Sequence, residues 1–207
     1  LIPLASFLSY SFFTVDGLDI NHEFSLENYK EFFVDEIYIN TFVRTIFLAL
    51  IVMFSCILLG YPVAYFLARY AGRYKYAILL MLIIPLFMSY IIKIYMMRSI
   101  LGHSGLINKV LKMLGIIEKP LEFFLWNQNS VIITLVIILL PLIIIPTFTS
   151  LDKIPSNIIE ASFDLGCKPF QAFKYVIFPI GFPGLVVGGI FVFILALGDF
   201  VTPQLVG

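Results

Sequence analysis

The chain has 207 residues, of which 61% are hydrophobic and 13% are charged, and its mean hydropathy is +1.03. Soluble domains carry roughly 25% charged residues, so this composition excludes an ordinary soluble domain and predicts an all-α protein that crosses a membrane several times. The 13 basic and 13 acidic residues cancel, which gives no indication of a nucleic-acid partner. Cys56 and Cys167 are too few for a disulfide framework, so we expect both to be free thiols.

Five apolar segments are the predicted membrane spans. Residues 1–10 have no basic leader and no cleavage site, so we expect the end of a truncated first span rather than a signal peptide. The other four segments are 40–68, 77–101, 130–150 and 178–198. Each is long enough, because a helix needs about 20 residues to cross ~30 Å of hydrocarbon.

Prolines at positions 62, 85, 141 and 146 lie inside the segments 40–68, 77–101 and 130–150. A proline lacks the backbone donor of a helix, and in lipid the freed carbonyl must find another partner in a neighbouring helix or in water. We therefore expect kinked helices that enclose a cavity. The alternative is that these residues only ease close packing.

The basic residues predict the orientation of the bundle. The short loop 69–76 contains three basic residues and no acid, which is typical of a cytoplasmic loop. Alternation then places 151–177 in the cytoplasm and the acidic segment 14–39 outside. The second outer loop, 102–129, contains three lysines, so the bias is not uniform.

Two short helices are predicted in the outer loops. Residues 25–33 begin with the possible cap Ser25 and place apolar side chains at helical spacing. The second helix is predicted over 106–114, ended by Gly115. We expect both helices to cover the bundle in the headgroup zone; the alternative is that they help to seat an external binding protein.

The cytoplasmic loop is predicted to form two helices that meet at a glycine. The first runs over 155–165, capped by Asp152 or Ser156 and ended by Gly166. The second begins at Pro169 and continues into the last span. Together they form an elbow that lies across the membrane surface.

The first helix of this elbow has two predicted faces. Glu160 and Asp164, four residues apart, share one face and offer partners for Arg or Lys on a docked protein. The alternative is an ordinary amphipathic surface helix. The other face is predicted to consist of Ile158, Ala161, Ser162 and Leu165.

The spacing of this loop resembles the EAA loop of bacterial ABC importer permeases, which reads Glu-Ala-Ala, three residues, Gly, nine residues, Ile-x-Leu-Pro. Glu160, Ala161, Gly166 and Pro179 match, whereas Ser162, Val176 and Phe178 are small or apolar replacements. The resemblance implies that segment 151–177 receives force from a cytoplasmic ATP-binding subunit. The residues to which it assigns this coupling are Glu160, Ala161, Ser162, Asp164 and Gly166.

Four further stretches, 60–65, 84–90, 101–108 and 197–203, resemble the permease subunits of spermidine/putrescine importers. This resemblance implies one transmembrane domain over 1–207, incomplete at both ends because the sixth span is absent, in a bacterial inner membrane. It also implies a sister permease, two ATP-binding subunits, an extracytoplasmic substrate-binding protein and contact with membrane lipid. Permeases for ferric iron, thiamine or phosphonates share the EAA loop, so these substrates are alternatives.

The sequence contains no pattern for chemistry of its own. It has no His-Glu-x-x-His motif and no Gly-x4-Gly-Lys-Ser/Thr phosphate loop, so we expect a transport subunit that is not an enzyme and relies on a partner ATPase. We predict no cofactor and no metal site, since His22 and His103 are single loop histidines. A secondary transporter is the rival class, but the ionisable residues of the spans lie near the outer ends. They are Arg44, Lys93, Arg98 and Asp199.

Asp199 follows the last span at its outer end and is the acid nearest that span. A polyamine ammonium group that loses water needs such a carboxylate, and aromatic faces add cation–π contacts of ~0.5 to 2 kcal/mol each. The aromatic residues assigned to this substrate path are Tyr90, Tyr95 and Phe200. The competing hypothesis pairs Asp199 with Lys93 or Arg98.

Overall fold

The computed structural model describes residues 2–16, 19–21, 24–103, 105–117, 119 and 127–207. His22, and Ser104 within the stretch 101–108, lie outside these residues. The chain forms two compact units, Leu1–Phe47 and Leu48–Gly207. Apart from one short hairpin, the regular elements of the described residues are helices.

The first unit contains α1 (Ile2–Tyr10), the antiparallel strands β1 (Thr14–Asp16) and β2 (Asp19–Asn21), and α2 (Glu27–Val34). Helix α2 confirms the predicted outer helix, although it begins two residues later than expected. The Ser25 hydroxyl accepts a hydrogen bond from the Glu27 amide at 3.1 Å. The Asn28 side chain donates to the carbonyls of Ser11 and Phe13 at 3.2 and 2.9 Å, which fastens α2 to the turn after α1. The hairpin was not predicted.

Among the described residues, three helical segments are each long and apolar enough to cross a membrane. They are α3 (Glu36–Arg69), which begins in the first unit and continues into the second, α7 (Gln128–Asp152), and the continuous segment Pro169–Leu197. They confirm the predicted spans 40–68, 130–150 and 178–198. Helix α1 covers nine residues of the predicted partial span.

The predicted span 77–101 is broken rather than continuous. Helix α4 (Lys75–Ile83) is followed by a 3-10 turn over Ile84–Phe87, and α5 (Tyr90–Leu101) starts in a new direction. The helical segments 72–87 and 90–113, the latter containing α6 (Leu106–Met113), are bent by 99°. Pro85 lacks the amide that would continue the α-helical ladder, so the expected kink is a full break. The predicted outer helix 106–114 is confirmed as α6.

The core of the second unit is built around α7. Leu135 and Ile143 of α7, Val52 of α3 and Val192 of the last span are all at most 1% exposed. Two close approaches depend on glycine: a Cβ on Gly188 would lie 2.9 Å from the Ile143 Cα, and one on Gly184 would collide with the Pro146 carbonyl. The last span therefore contacts α7 almost backbone to backbone.

The last span has three parts. Helix α9 (Pro169–Ala172) passes into a π-helical segment, Phe173–Ile177, and then into α10 (Phe178–Leu197). The short helix α11 (Val201–Val206) follows. The hydroxyl of Ser130, at the start of α7, donates to the Val206 carbonyl at 3.1 Å. The start of α7 and the end of α10 therefore lie at one end of the bundle, and the elbow lies at the other.

Candidate functional site: a coupling elbow and a cavity at Asp199

The elbow consists of α8 (Ser156–Asp164), the turn at Gly166, and α9. Pro155 is the N-cap residue in an extended conformation, and no side chain caps α8. The predicted caps, Asp152 and Ser156, are therefore wrong. Asp152 ends α7, and Ser156 is already the first residue of the new helix, so neither occupies the capping position.

Gly166 ends α8, as the sequence predicts. Its φ of +87° lies in the left-handed region that only glycine adopts readily. Its amide donates to the Phe163 carbonyl at 2.8 Å, and the Cys167 amide donates to the Ser162 carbonyl at 3.0 Å. This pair of bonds is a Schellman motif, and it gives the elbow a defined corner.

The side chains predicted for coupling do not share one surface. Glu160, Ala161, Asp164 and Gly166 are exposed. Ser162 is buried, and its hydroxyl donates to the Ile159 carbonyl at 2.6 Å. The predicted face that joined Ser162 to Ala161 is wrong because α8 packs against α9 and the π segment, and Ser162 lies on the covered side.

The elbow also exposes large apolar side chains, in addition to its two acids. Leu165 is 86% exposed and Phe170 is 73% exposed, and Ile158 and Phe163 are also exposed. The sequence analysis missed both aromatic residues. Their signal was local: a phenylalanine lies on either side of a helix-ending glycine. Together with Glu160 and Asp164, these residues form a surface of mixed apolar and acidic character.

The base of the elbow is fastened to the segment 69–76. The Arg69 guanidinium donates to the carbonyls of Leu151 and Ile154 at 3.1 and 3.2 Å. The Lys75 ammonium contacts the Asp152 carboxylate at 2.6 Å, and the Tyr76 hydroxyl donates to the same carboxylate at 3.2 Å. The sequence analysis used Arg69 and Lys75 only as signals of orientation and missed these contacts.

A largely apolar cavity that contains a few polar side chains lies at the opposite end of α10. The 20 residues of α10 place Asp199 ~30 Å from the start of α10, and the π-helical segment separates α10 from the elbow. The cavity has a volume of about 520 Å³ and is lined by Tyr90, Lys93, Asp199, Phe200 and apolar residues of α7 and α10. Tyr95 lines a separate depression on α5. Of the predicted substrate path, Tyr90, Asp199 and Phe200 are therefore together and Tyr95 is apart.

The Asp199 carboxylate accepts hydrogen bonds from amides close to it in sequence and also interacts with the Tyr90 side chain. One oxygen accepts from the amides of Val201 and Thr202 at 3.2 and 3.4 Å, at the start of α11. The other oxygen is buried and has no partner among the described residues. The structure, which describes both cations, gives Asp199 no ion pair with Lys93 or Arg98. The pairing hypothesis compared the depths of these residues in the membrane as if the predicted third span were one continuous helix, whereas α5 follows a sharp bend.

Residues 32–207 match the family of binding-protein-dependent transport system inner membrane components. The chain belongs to this family. It is therefore a multi-pass protein of the inner membrane and a component of a binding-protein-dependent transport system. This confirms the resemblance on which the elbow was identified, and it confirms the helical membrane fold.

Several relatives match this inner-membrane component over almost its whole length. It is 34% identical over 207 residues to the spermidine/putrescine transport system permease protein PotB of Salmonella typhimurium, covering all of this chain and 71% of the relative. The identity to PotB of Escherichia coli is 33%, covering all of this chain and 74% of the relative. The inner membrane ABC transporter permease protein YdcU of Escherichia coli is 34% identical, with 99% of this chain and 69% of the relative covered.

Proposed function

We propose that the chain is the permease subunit of an ATP-driven importer that carries a polyamine of the spermidine/putrescine type. The single observation that supports this substrate is the 34% identity to a spermidine/putrescine permease across all 207 residues. In this proposal the chain performs no chemistry. It forms part of the translocation path together with a sister permease, and ATP is hydrolysed by separate cytoplasmic subunits.

The exposed surface of the elbow supports docking to an ATP-binding subunit. Leu165 and Phe170 are apolar side chains that face outward next to Glu160 and Asp164. Apolar groups clustered within a polar rim are typical of a protein contact. The acids would contact Arg or Lys of the ATPase, and the apolar side chains would fill its groove.

The cavity at Asp199 supports a substrate path for a cation. Its free carboxylate oxygen is buried, so an ammonium group that reached it would regain a strong hydrogen bond in exchange for lost water. Tyr90 and Phe200 line the same cavity and supply aromatic faces. Lys93 also lines it and repels a polycation, so only the Asp199 side of the cavity suits the substrate.

Reconstitution of the complete complex tests this function. The permease, its sister subunit, the ATPase and the binding protein are placed in proteoliposomes, and uptake of labelled spermidine, putrescine, ferric iron, thiamine and 2-aminoethylphosphonate is measured with and without ATP. We expect ATP-dependent uptake of the polyamines alone. Uptake of another solute in their place would refute the substrate, and uptake without the ATPase would favour a secondary transporter.

A further inference from the structure

The C-terminal end of α7 is held by a group of side chains that we call the α7 anchor: Arg69, Lys75, Tyr76 and Asp152. The last carbonyls of a helix have no donor within the helix. Arg69, the final residue of α3, supplies two of its N–H groups to the Leu151 and Ile154 carbonyls. A guanidinium at this position also interacts favourably with the helix dipole.

A second contact joins the same helix end to α4. Lys75, the first residue of α4, contacts one oxygen of Asp152, and Tyr76 donates to the other. Both side chains of the ion pair are largely shielded, at 27% and 20% exposed. The end of α7 is therefore tied to the end of α3 and to the start of α4 by polar contacts more than 75 residues apart in sequence.

The anchor lies directly at the point where the elbow begins. Only Lys153, Ile154 and Pro155 separate Asp152 from α8, and Ile154 is both buried and bonded to Arg69 through its carbonyl. The buried side chains of Leu67, Phe148 and Leu151 pack around the same point. A displacement of α8 must therefore reach α3 and α4 as well as α7.

We propose that Arg69, Lys75 and Asp152 are positioning residues that transmit movement of the elbow to α3 and α4. Helix α4 leads through the break at Pro85 to α5, whose residues Tyr90 and Lys93 line the cavity at Asp199. The anchor thus connects the docking surface to α5, which forms the part of the cavity wall that does not belong to α7 or α10. This inference rests on the proposed function, because it assigns a role to a coupling that the proposed function requires.

A charge exchange in the reconstituted complex tests the anchor. The variants are Lys75→Glu, Asp152→Lys and the double exchange, and the quantity measured is substrate imported per ATP hydrolysed. Each single variant should lower this ratio roughly threefold to tenfold, and the double exchange should restore most of it. Lys153→Glu is the matched control for Lys75→Glu. Lys153 is the exposed neighbour of Asp152, and its replacement by Glu makes the same change of charge. It should leave the ratio unchanged.

Two further variants keep the test decisive if a charge change prevents assembly. Tyr76→Phe removes one hydrogen bond to Asp152 without a change of charge, and Arg69→Lys keeps the charge but loses the two-pronged donation. Both should lower the ratio while the amount of assembled complex stays at the parent level.

Three results would overturn the proposal. The first is an unchanged ratio of substrate imported to ATP hydrolysed in the variants that assemble. Parallel losses of assembly, ATP hydrolysis and import, which indicate a merely structural role, are another. The third is a double exchange that is no better than either single variant. A parent complex that imports nothing with ATP would instead refute the proposed function, and this inference would fall with it.

Discussion

Leu165 offers the sharpest test of docking at the elbow, through the variant Leu165→Ala. The side chain is 86% exposed, so its truncation removes almost no contact within the chain and should leave the fold intact. In a complex with an ATPase the same side chain would be buried.

The expected loss of affinity follows from this exposure. Leu→Ala removes three carbon atoms, and burial of one methylene contributes about 0.8 kcal/mol, so docking should weaken by ~2 kcal/mol, or roughly thirtyfold in Kd. A loss of this size requires a partner groove that closes over most of the side chain.

The chain contains a matched control. Leu114 is the C-cap residue of α6, is 67% exposed and precedes Gly115, whose φ is +68°. Leu165 is likewise the C-cap residue of α8 and precedes a glycine with positive φ, but the predicted orientation places it on the other side of the membrane.

Binding of the purified ATPase to the permease in nanodiscs, measured by biolayer interferometry, gives the two affinities. Leu114→Ala should bind as the parent does. Parent-like binding of Leu165→Ala, or equal weakening in both variants, would refute the assignment of the docking surface.

Three other substitutions test separate parts of the structure. Gly166→Ala should cost ~1 to 2 kcal/mol through its left-handed backbone, seen as weaker ATPase binding; normal binding would show that the corner is not needed. Asp199→Asn should assemble normally, because the structure gives it no ion pair, but should raise the KM for spermidine uptake about tenfold; an unchanged KM removes Asp199 from the path. Gly188→Val should lower the free energy of unfolding in detergent by ~1 to 3 kcal/mol, since the new Cβ would lie 2.9 Å from the Ile143 Cα. Gly189→Ala should be tolerated, because the nearest atom to its new Cβ is 3.6 Å away.

The sequence predicted those features that depend on local pattern. Apolar length located α3, α7 and the last span, and the glycine at position 166 located the corner of the elbow. Hydropathy alone could not distinguish a kink at Pro85 from a full break, because the residues on both sides are apolar enough to belong to one span. The π-helical segment Phe173–Ile177 has no signal in the sequence that separates it from an α-helix.

Features that depend on distant residues were beyond the sequence. The contact between Lys75 and Asp152 joins positions 77 residues apart, and a basic loop predicts only its side of the membrane. The pairing of Asp199 with a cation on the predicted third span assumed a straight helix. The burial of Ser162 depends on which side of α8 packs against α9, and a nine-residue helix with apolar residues on several sides does not specify that side.

The glycine contacts between α7 and α10 have a consequence for how the elbow can move. The elbow starts where α7 ends, and its second helix, α9, is the first part of the last span; α7 and the last span touch backbone to backbone at Gly184 and Gly188. Helices in such close contact cannot slide or separate without a loss of packing along their whole length. The two attachment points of the elbow therefore keep a constant separation, and in the proposed complex a pull by the ATPase would tilt both helices together as one rigid hairpin.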